Sequence, residues 1–139
     1  MEFITISADR VGELWELHAL YKEEIGEERP SEGDLAALSN AVRDGRILFF
    51  GCLDRGRLVG CCSVSPVFST FDYRTGGVFE DFYILPSYRH KGIARQLVRF
   101  ARDESGVSTM TVGCADCDRE LYMALGFRIA LGNMLSYGD

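Results

Sequence analysis

A basic, glycine-containing loop between a β-rich run and a helical pattern is the strongest chemical signal in the chain. The loop lies within residues 78–100, VFEDFYILPSYRHKGIARQLVRF. Backbone N–H groups at a helix N-terminus attract anions, and Gly92 has no side chain that would keep a phosphate away. Arg89, His90 and Lys91 add positive charge. The loop predicts a phosphate site, and a solvated basic turn is the alternative, because short glycine motifs are weak evidence by themselves.

A carboxylate in the preceding β-rich run has the chemistry of a base. Strand alternation places Glu80 on the same face as Phe82 and Ile84, and on the opposite face from Asp81 and Tyr83. Neighbouring aromatic rings would partly desolvate Glu80 and raise its pKa, which would keep its carboxylate useful as a base near neutral pH. A solvent-facing strand residue is the alternative, and both interpretations stay open.

Two motifs resemble those of the GNAT acyltransferase superfamily. The loop resembles its motif A, which reads Arg or Gln, two residues, Gly, one residue, then Gly or Ala, here Arg89, Gly92 and Ala94. LYMALGF at 121–127 resembles the family's LYxxLGF segment, and EDFYILPSYR at 80–89 is similar to diamine and polyamine acetyltransferases. The resemblance implies one α/β N-acetyltransferase domain over residues 1–139, with a mixed sheet of six or seven strands and about four helices.

The resemblance also implies where acetyl-CoA binds. Loop amides at 89–95 would hold the pyrophosphate, and backbone groups of the preceding strand would pair with the pantetheine arm like an added strand. The candidate cofactor-binding residues are Phe82, Tyr83, Ile84, Arg89, His90, Lys91, Gly92, Ile93, Ala94 and Arg95. A metal is not expected, because one C-x-x-C pair and two histidines make a zinc site improbable.

Two catalytic residues follow from the chemistry and the resemblance. An alkyl ammonium with a pKa near 10 is only about one-thousandth deprotonated at pH 7, so the site must accept a proton. Glu80 matches a glutamate proposed to remove that proton through water in the polyamine enzymes. Tyr122 matches the family's acid, which protonates the departing CoA thiolate. The alternative is a structural tyrosine, whose ring packs against apolar residues and whose hydroxyl contacts water.

The resemblance implies that the amine attacks the thioester directly while both substrates are bound. The first third of the chain is acidic, at Glu13, Glu16, Glu23, Glu24, Glu27 and Glu28. Such helices suit a small cationic amine, although acidic helix faces are usually just solvated. Two other functions stay open, an acyl-CoA-sensing module without turnover and an acetyltransferase for peptide or protein amines. Ala115 favours the module, because the family commonly has a CoA-contacting asparagine there.

Periodicity predicts the elements that position these residues. Ser31 and Asp34 are spaced like a capping box that opens a helix, and Gly45 ends it. We expect a weak strand at 3–7, a helix at 10–25, strands at 47–53 and 58–67, a loop at 68–77, a strand at 78–84, a helix from Gly92 to Gly106, a strand at 109–114, a helix at 118–125 and one or two strands at 127–137. The last segment is short for the family, so its final strand is expected to be abbreviated or supplied by a partner chain.

Composition limits the class of protein. The 139 residues are 47% hydrophobic and 26% charged, typical of one globular domain. The formal net charge of −6 argues against nucleic-acid binding, which needs a basic face. Five cysteines, an odd number, favour reduced thiols over a disulfide framework, and neither a signal peptide nor a membrane span is recognisable. We therefore expect a cytoplasmic protein without membrane contact, ordinarily a homodimer by the resemblance.

Overall fold

A five-stranded sheet forms the centre of residues 1–138, the part of the chain that the computed structural model describes. The elements are β1 Glu2–Thr5, α1 Val11–Glu24, α2 Glu32–Arg43, β2 Leu48–Asp54, β3 Arg57–Ser69, β4 Arg74–Ile84, α3 Ile93–Ser105, β5 Met110–Val112 and α4 Arg119–Leu125. The strands lie in chain order, with β1 to β4 antiparallel and β5 parallel to β4. Because parallel neighbours need a crossover, α3 connects β4 to β5.

The predicted single α/β domain with about four helices is confirmed, but the strand number of six or seven is wrong. Residues 127–137, expected to form one or two strands, lie outside any strand in the described chain. A strand needs a neighbour for its backbone groups, and β5 offers only three residues. Gly132, with φ of +94°, also interrupts an extended path.

The loop predicted at 68–77 is much shorter than expected. Strands β3 and β4 continue to Ser69 and from Arg74, so only four residues, 70–73, connect them. Gly76 and Gly77 mark close packing inside β4 and not a loop. A Cβ atom at Gly77 would clash with the Val64 side chain, and one at Gly76 would lie 2.9 Å from Thr109 Oγ1.

The core has two layers, one on each face of the sheet. Leu14 and Leu17 of α1 pack on the first face with Phe49 and Cys61. Leu97, Val98 and Ala101 of α3 pack on the other with Phe50 and Phe79. The buried residues of α3 recur at the helical spacing that its sequence predicts, whereas the buried face of α1 includes Leu17 and leaves Ile25 exposed. No helix within residues 1–138 has the length and apolar character needed to cross a membrane.

The cysteines divide into two groups. Cys52, Cys61 and Cys62 are buried in the sheet as free thiols, as expected for reduced core residues. Burial raises the pKa of Cys52 to about 11, so this thiol stays protonated and unreactive at neutral pH. Cys114 and Cys117 are also free but exposed, just before α4.

A β-bulge interrupts β4 between its two halves. Ser63 pairs with Glu80 and Cys61 with Tyr83, so Asp81 and Phe82 together lie opposite Cys62. The strict alternation predicted for this strand is therefore wrong, because the extra residue changes the register. Glu80 and Tyr83 share one face, and Phe82 packs with Phe79 on the other, where the ring centroids are 5.8 Å apart.

The capping box of α2 is present as predicted. Ser31 Oγ accepts a hydrogen bond from the Asp34 N–H at 3.1 Å, and Asp34 Oδ2 accepts one from the Ser31 N–H at 2.7 Å. We expect Ser31→Ala to lower the free energy of unfolding by about 1 kcal/mol, because a helix N–H loses its acceptor. The melting temperature should fall by about 3–5 °C. Ser31→Asn, which keeps a cap, is the control, and equal melting of both variants would contradict the role.

Candidate active site

A cavity of about 1030 Å³ opens where β4 loses its neighbour. Strand β5 pairs with β4 only from Gly77 to Phe79, and the end of β4 beyond this pairing, Phe82 to Ile84, borders the cavity. The cavity is lined by eight of the predicted cofactor-binding residues, Phe82, Tyr83, Ile84, Arg89, His90, Gly92, Ala94 and Arg95. Ile93 instead belongs to the core, and Lys91 Nζ lies 5.7 Å from the Tyr88 ring centroid.

The N-terminus of α3 opens toward this cavity without a side-chain cap. Gly92 precedes the helix with φ of +79°, and no side chain bonds the first helical N–H groups. His90 also has a left-handed backbone, with φ of +62°. Backbone N–H groups arranged in such a turn and helix start form a concave anion site. The loop therefore has the geometry of a phosphate cradle and not only its composition.

The exposed edge of β4 supplies backbone groups beside this cradle. The Leu85 N–H donates to the Val59 carbonyl of β3 at 2.9 Å. Strand alternation then directs the backbone groups of Ile84 away from β3, toward the cavity that Ile84 lines. The Arg89 Nε–H donates to the Ile84 carbonyl at 2.8 Å, so the loop already contacts this strand edge.

Arg89 is already engaged by protein groups. Its Nη1 and Nη2 donate to the two carboxylate oxygens of Glu24 at 2.9 and 2.8 Å, and its guanidinium lies 5.4 Å from the Tyr83 ring centroid. The hydrogen bond from Arg89 holds the pKa of Glu24 below its usual value. The pair ties α1 to the loop, so the Arg89 charge is largely neutralised before any anion binds.

Other basic groups remain for an anion. His90 and Arg95 line the cavity, and Arg95 Nη2 donates to the Ala124 carbonyl of α4 at 3.2 Å. Arg99, one helical turn after Arg95, also lines the cavity. The sequence did not indicate Arg99 as a site residue, and it indicated Glu24 as part of an acidic surface and not as a partner of Arg89. The four-residue spacing from Arg95 was the available signal for Arg99, whereas nothing in the sequence linked Glu24 to Arg89, which is 65 residues away.

Tyr122 lies in an aromatic cluster on the α3 face. Its ring centroid is 6.4 Å from that of Phe82 and 6.0 Å from that of Phe127. Burial raises the pKa of Tyr122, so its phenol remains protonated throughout the neutral range. Tyr122 does not line the cavity wall itself, whereas its helix neighbours Leu121 and Leu125 do. The residue is therefore a protonated phenol beside Phe82, near the end of β4.

Glu80 is exposed, so the partial desolvation expected from its aromatic neighbours is absent. The bulge places it opposite Ser63 and away from the cavity wall. His18 of α1 contacts the Phe49 ring at 5.3 Å between centroids, and burial lowers its pKa. Across residues 1–138, no group of three or more His, Cys, Asp or Glu side chains is placed to hold a metal ion.

Comparisons with solved structures find the same fold repeatedly. An aminoglycoside acetyltransferase from an uncultured soil metagenomic sample, in complex with trehalose, has a TM-score of 0.85 at 13% identity, covering 99% of this chain and 95% of that one. A predicted acetyltransferase of Clostridium acetobutylicum with acetyl-CoA has a TM-score of 0.77 at 12% identity over 98% and 95%. AAC(6')-Iy, in complex with the bisubstrate analogue CoA-S-monomethyl-acetylneamine, has a TM-score of 0.80 at 17% identity over 99% and 97%. A search of curated sequences finds no match.

The fold and cavity define an acyltransferase-like α/β domain with an open strand edge beside a helix N-terminus. The family model described as acetyltransferase (GNAT) domain matches residues 45–129. The chain therefore belongs to the GNAT family, as its motifs predicted, and is an acetyl-CoA-dependent N-acetyltransferase.

The helix N-terminus offers a direct test with a matched control. Gly92 and Gly106 begin and end α3 with φ of +79° and +65°, so alanine is strained at both positions. We expect only Gly92→Ala to weaken CoA binding, by about 5- to 30-fold, because the strain disturbs the cradle there. Isothermal titration of CoA into both variants measures this. Equal affinity of the two variants would contradict the cradle.

Proposed function

We propose that the protein transfers the acetyl group of acetyl-CoA to the primary amine of a small cationic acceptor, with both substrates bound together. The uncapped start of α3 beside the unpaired edge of β4 is the observation that carries this proposal. A diphosphate on the helix N-terminus would leave the pantetheine arm parallel to β4, and the thioester would then point toward the bulge. Neighbours of the same fold include aminoglycoside acetyltransferases, which supports a small amine.

The charge distribution supports a cationic acceptor, although fewer acidic side chains are free to attract it than the composition implies. Ion pairs neutralise three of the acidic side chains, because Glu13 pairs with Arg10, Glu24 with Arg89 and Glu27 with Lys22. Glu80 is exposed on β4 and makes no ion pair within residues 1–138. Its carboxylate is therefore available to attract an ammonium group, which makes Glu80 more relevant to the acceptor than Glu24.

The proposed reaction needs one base and one acid. Glu80 accepts a proton from the ammonium through water, and the neutral amine attacks the thioester carbonyl. A backbone N–H of the open β4 edge stabilises the developing oxyanion. The tetrahedral intermediate collapses by breaking the carbon–sulfur bond, and Tyr122 gives its proton to the CoA sulfur. The attacking nitrogen loses its second proton as the amide forms, and this proton returns through water to the Tyr122 oxygen. The raised pKa of Tyr122 keeps its phenol proton available at neutral pH.

Release of CoA thiol in a panel of amines tests this function. We expect turnover with small cationic amines and not with acidic or uncharged acceptors. Tyr122→Phe should lower kcat by about 100-fold or more, because the leaving thiolate loses its acid. Tyr73→Phe, at an exposed tyrosine of the β3–β4 connection, is the control. Binding of acetyl-CoA without turnover of any amine would instead favour the sensing module, and turnover of peptide amines alone would favour the protein-directed enzyme.

We also propose that the protein is a homodimer. Five large apolar side chains of the last twelve residues are 75–99% exposed, namely Ile129, Leu131, Met134, Leu135 and Tyr137. A patch of this density is unusual on a monomer, and β5 offers a free strand edge beside it. A second copy of the same segment would cover both.

Light scattering tests the assembly. We expect twice the chain mass of 15.5 kDa for the wild type and a single chain mass for Leu131→Asp/Leu135→Asp. Glu104→Gln, on the exposed side of α3, is the control. A wild type that stays at single chain mass at high concentration would contradict the dimer.

We propose that the enzyme is cytoplasmic, because all five cysteines are free thiols. A disulfide bond in protein isolated from its own cells would contradict this location.

A further inference from the structure

The residue inserted at the β4 bulge has an unusual backbone. Asp81 has φ of +54°, in the left-handed region that most L residues adopt only at a cost. Asp and Asn tolerate this region better than other non-glycine residues. A left-handed residue at a bulge persists only where surrounding contacts hold it. The contacts that hold Asp81 are therefore those that hold the bulge.

Two side chains of strand β3 form hydrogen bonds with Asp81. The Ser63 hydroxyl donates to Asp81 Oδ2 at 2.7 Å, and Ser63 is fully buried. The Cys61 thiol lies 3.6 Å from the Asp81 carbonyl oxygen, on the same face of β3. A short hydrogen bond from a buried hydroxyl to a carboxylate is among the stronger kinds. It fixes both the side chain and, through it, the backbone turn.

The bulge decides what lies next to the proposed thioester position. If β4 alternated regularly from Glu80 onward, with no bulge, Phe82 and Tyr83 would each lie on the opposite face of the sheet, because a one-residue change of register inverts every later side chain. With the bulge, Phe82 lines the cavity and its ring packs beside Tyr122, with ring centroids 6.4 Å apart. The bulge thus places Phe82 and the proposed acid next to each other.

We propose that Asp81 and Ser63 form a positioning pair for acetyl transfer, holding the bulge so that Phe82 and Tyr122 meet the thioester in one geometry. This inference rests on the proposed function for its kinetic consequence. The pair acts through hydrogen bonding and backbone conformation and not through negative charge. Asparagine keeps both properties, because it accepts a hydrogen bond and tolerates the left-handed region.

Four variants separate geometry from charge. We expect Asp81→Ala and Ser63→Ala to lower kcat by about 10- to 100-fold while KM for acetyl-CoA changes less than about threefold, because misplacement affects the reacting atoms more than the diphosphate. Asp81→Asn should restore kcat to within about threefold of wild type. The double alanine variant should be no slower than the slower single variant, because both substitutions remove one shared interaction. Ser65→Ala, two residues further along the same strand, is the control.

Loss of activity in Asp81→Asn equal to that in Asp81→Ala would overturn the proposal, because charge and not geometry would then be required. Unchanged kcat in Ser63→Ala would overturn it as well. A second readout needs no turnover: the Phe82 amide resonance should shift in both alanine variants and stay near its wild-type position in Asp81→Asn. If the wild type acetylates no amine, the proposed function fails, and the pair is then judged by this resonance alone. An unchanged Phe82 amide resonance in both alanine variants would overturn the proposed role of Asp81 and Ser63.

Discussion

The candidate site depends on the separation of β4 from β5 after Phe79. A β-strand whose neighbour stops leaves backbone donors and acceptors that water or a ligand must satisfy. Here the freed edge lies beside a helix N-terminus whose N–H groups also lack side-chain partners. Both sets of groups face the same cavity, so one extended, anionic ligand could satisfy them together. The arrangement matches the chemistry of CoA, which carries a diphosphate at one end of an amide-containing arm.

Ion pairs, and not the overall composition, determine which charged side chains remain free around this cavity. The chain is acidic overall, yet the ion pair between Glu24 and Arg89 removes one charge of each sign from the cavity wall. That pair ties the end of α1 to the loop between β4 and α3. The cavity keeps His90, Arg95 and Arg99 on the α3 side, and Glu80 remains exposed further along β4. In the proposed reaction, anion binding and amine attraction are therefore separated along one strand.

Local patterns predicted most of the architecture. The capping box at Ser31, the helix from Gly92 and the cofactor loop all follow from interactions within a few residues, so their signals are complete in the sequence. Predictions failed where a distant neighbour decides the structure. Residues 127–137 resemble a strand in composition but lack a strand neighbour, and Gly77 resembles a loop residue although it is required by the close approach of Val64.

By itself the sequence determined the family, the helix N-terminus that offers an anion site, and the two candidate catalytic residues, because motifs and periodicities encode local chemistry. Only the tertiary structure decided which face of the sheet each candidate occupies. The bulge at Asp81 inverts the alternation after Glu80, and it exists because Ser63, on another strand, accommodates the left-handed backbone. The contact between Ser63 and Asp81 joins residues 18 positions apart and produces no repeating pattern in the sequence. The face that each candidate residue occupies could therefore be seen only in the tertiary structure.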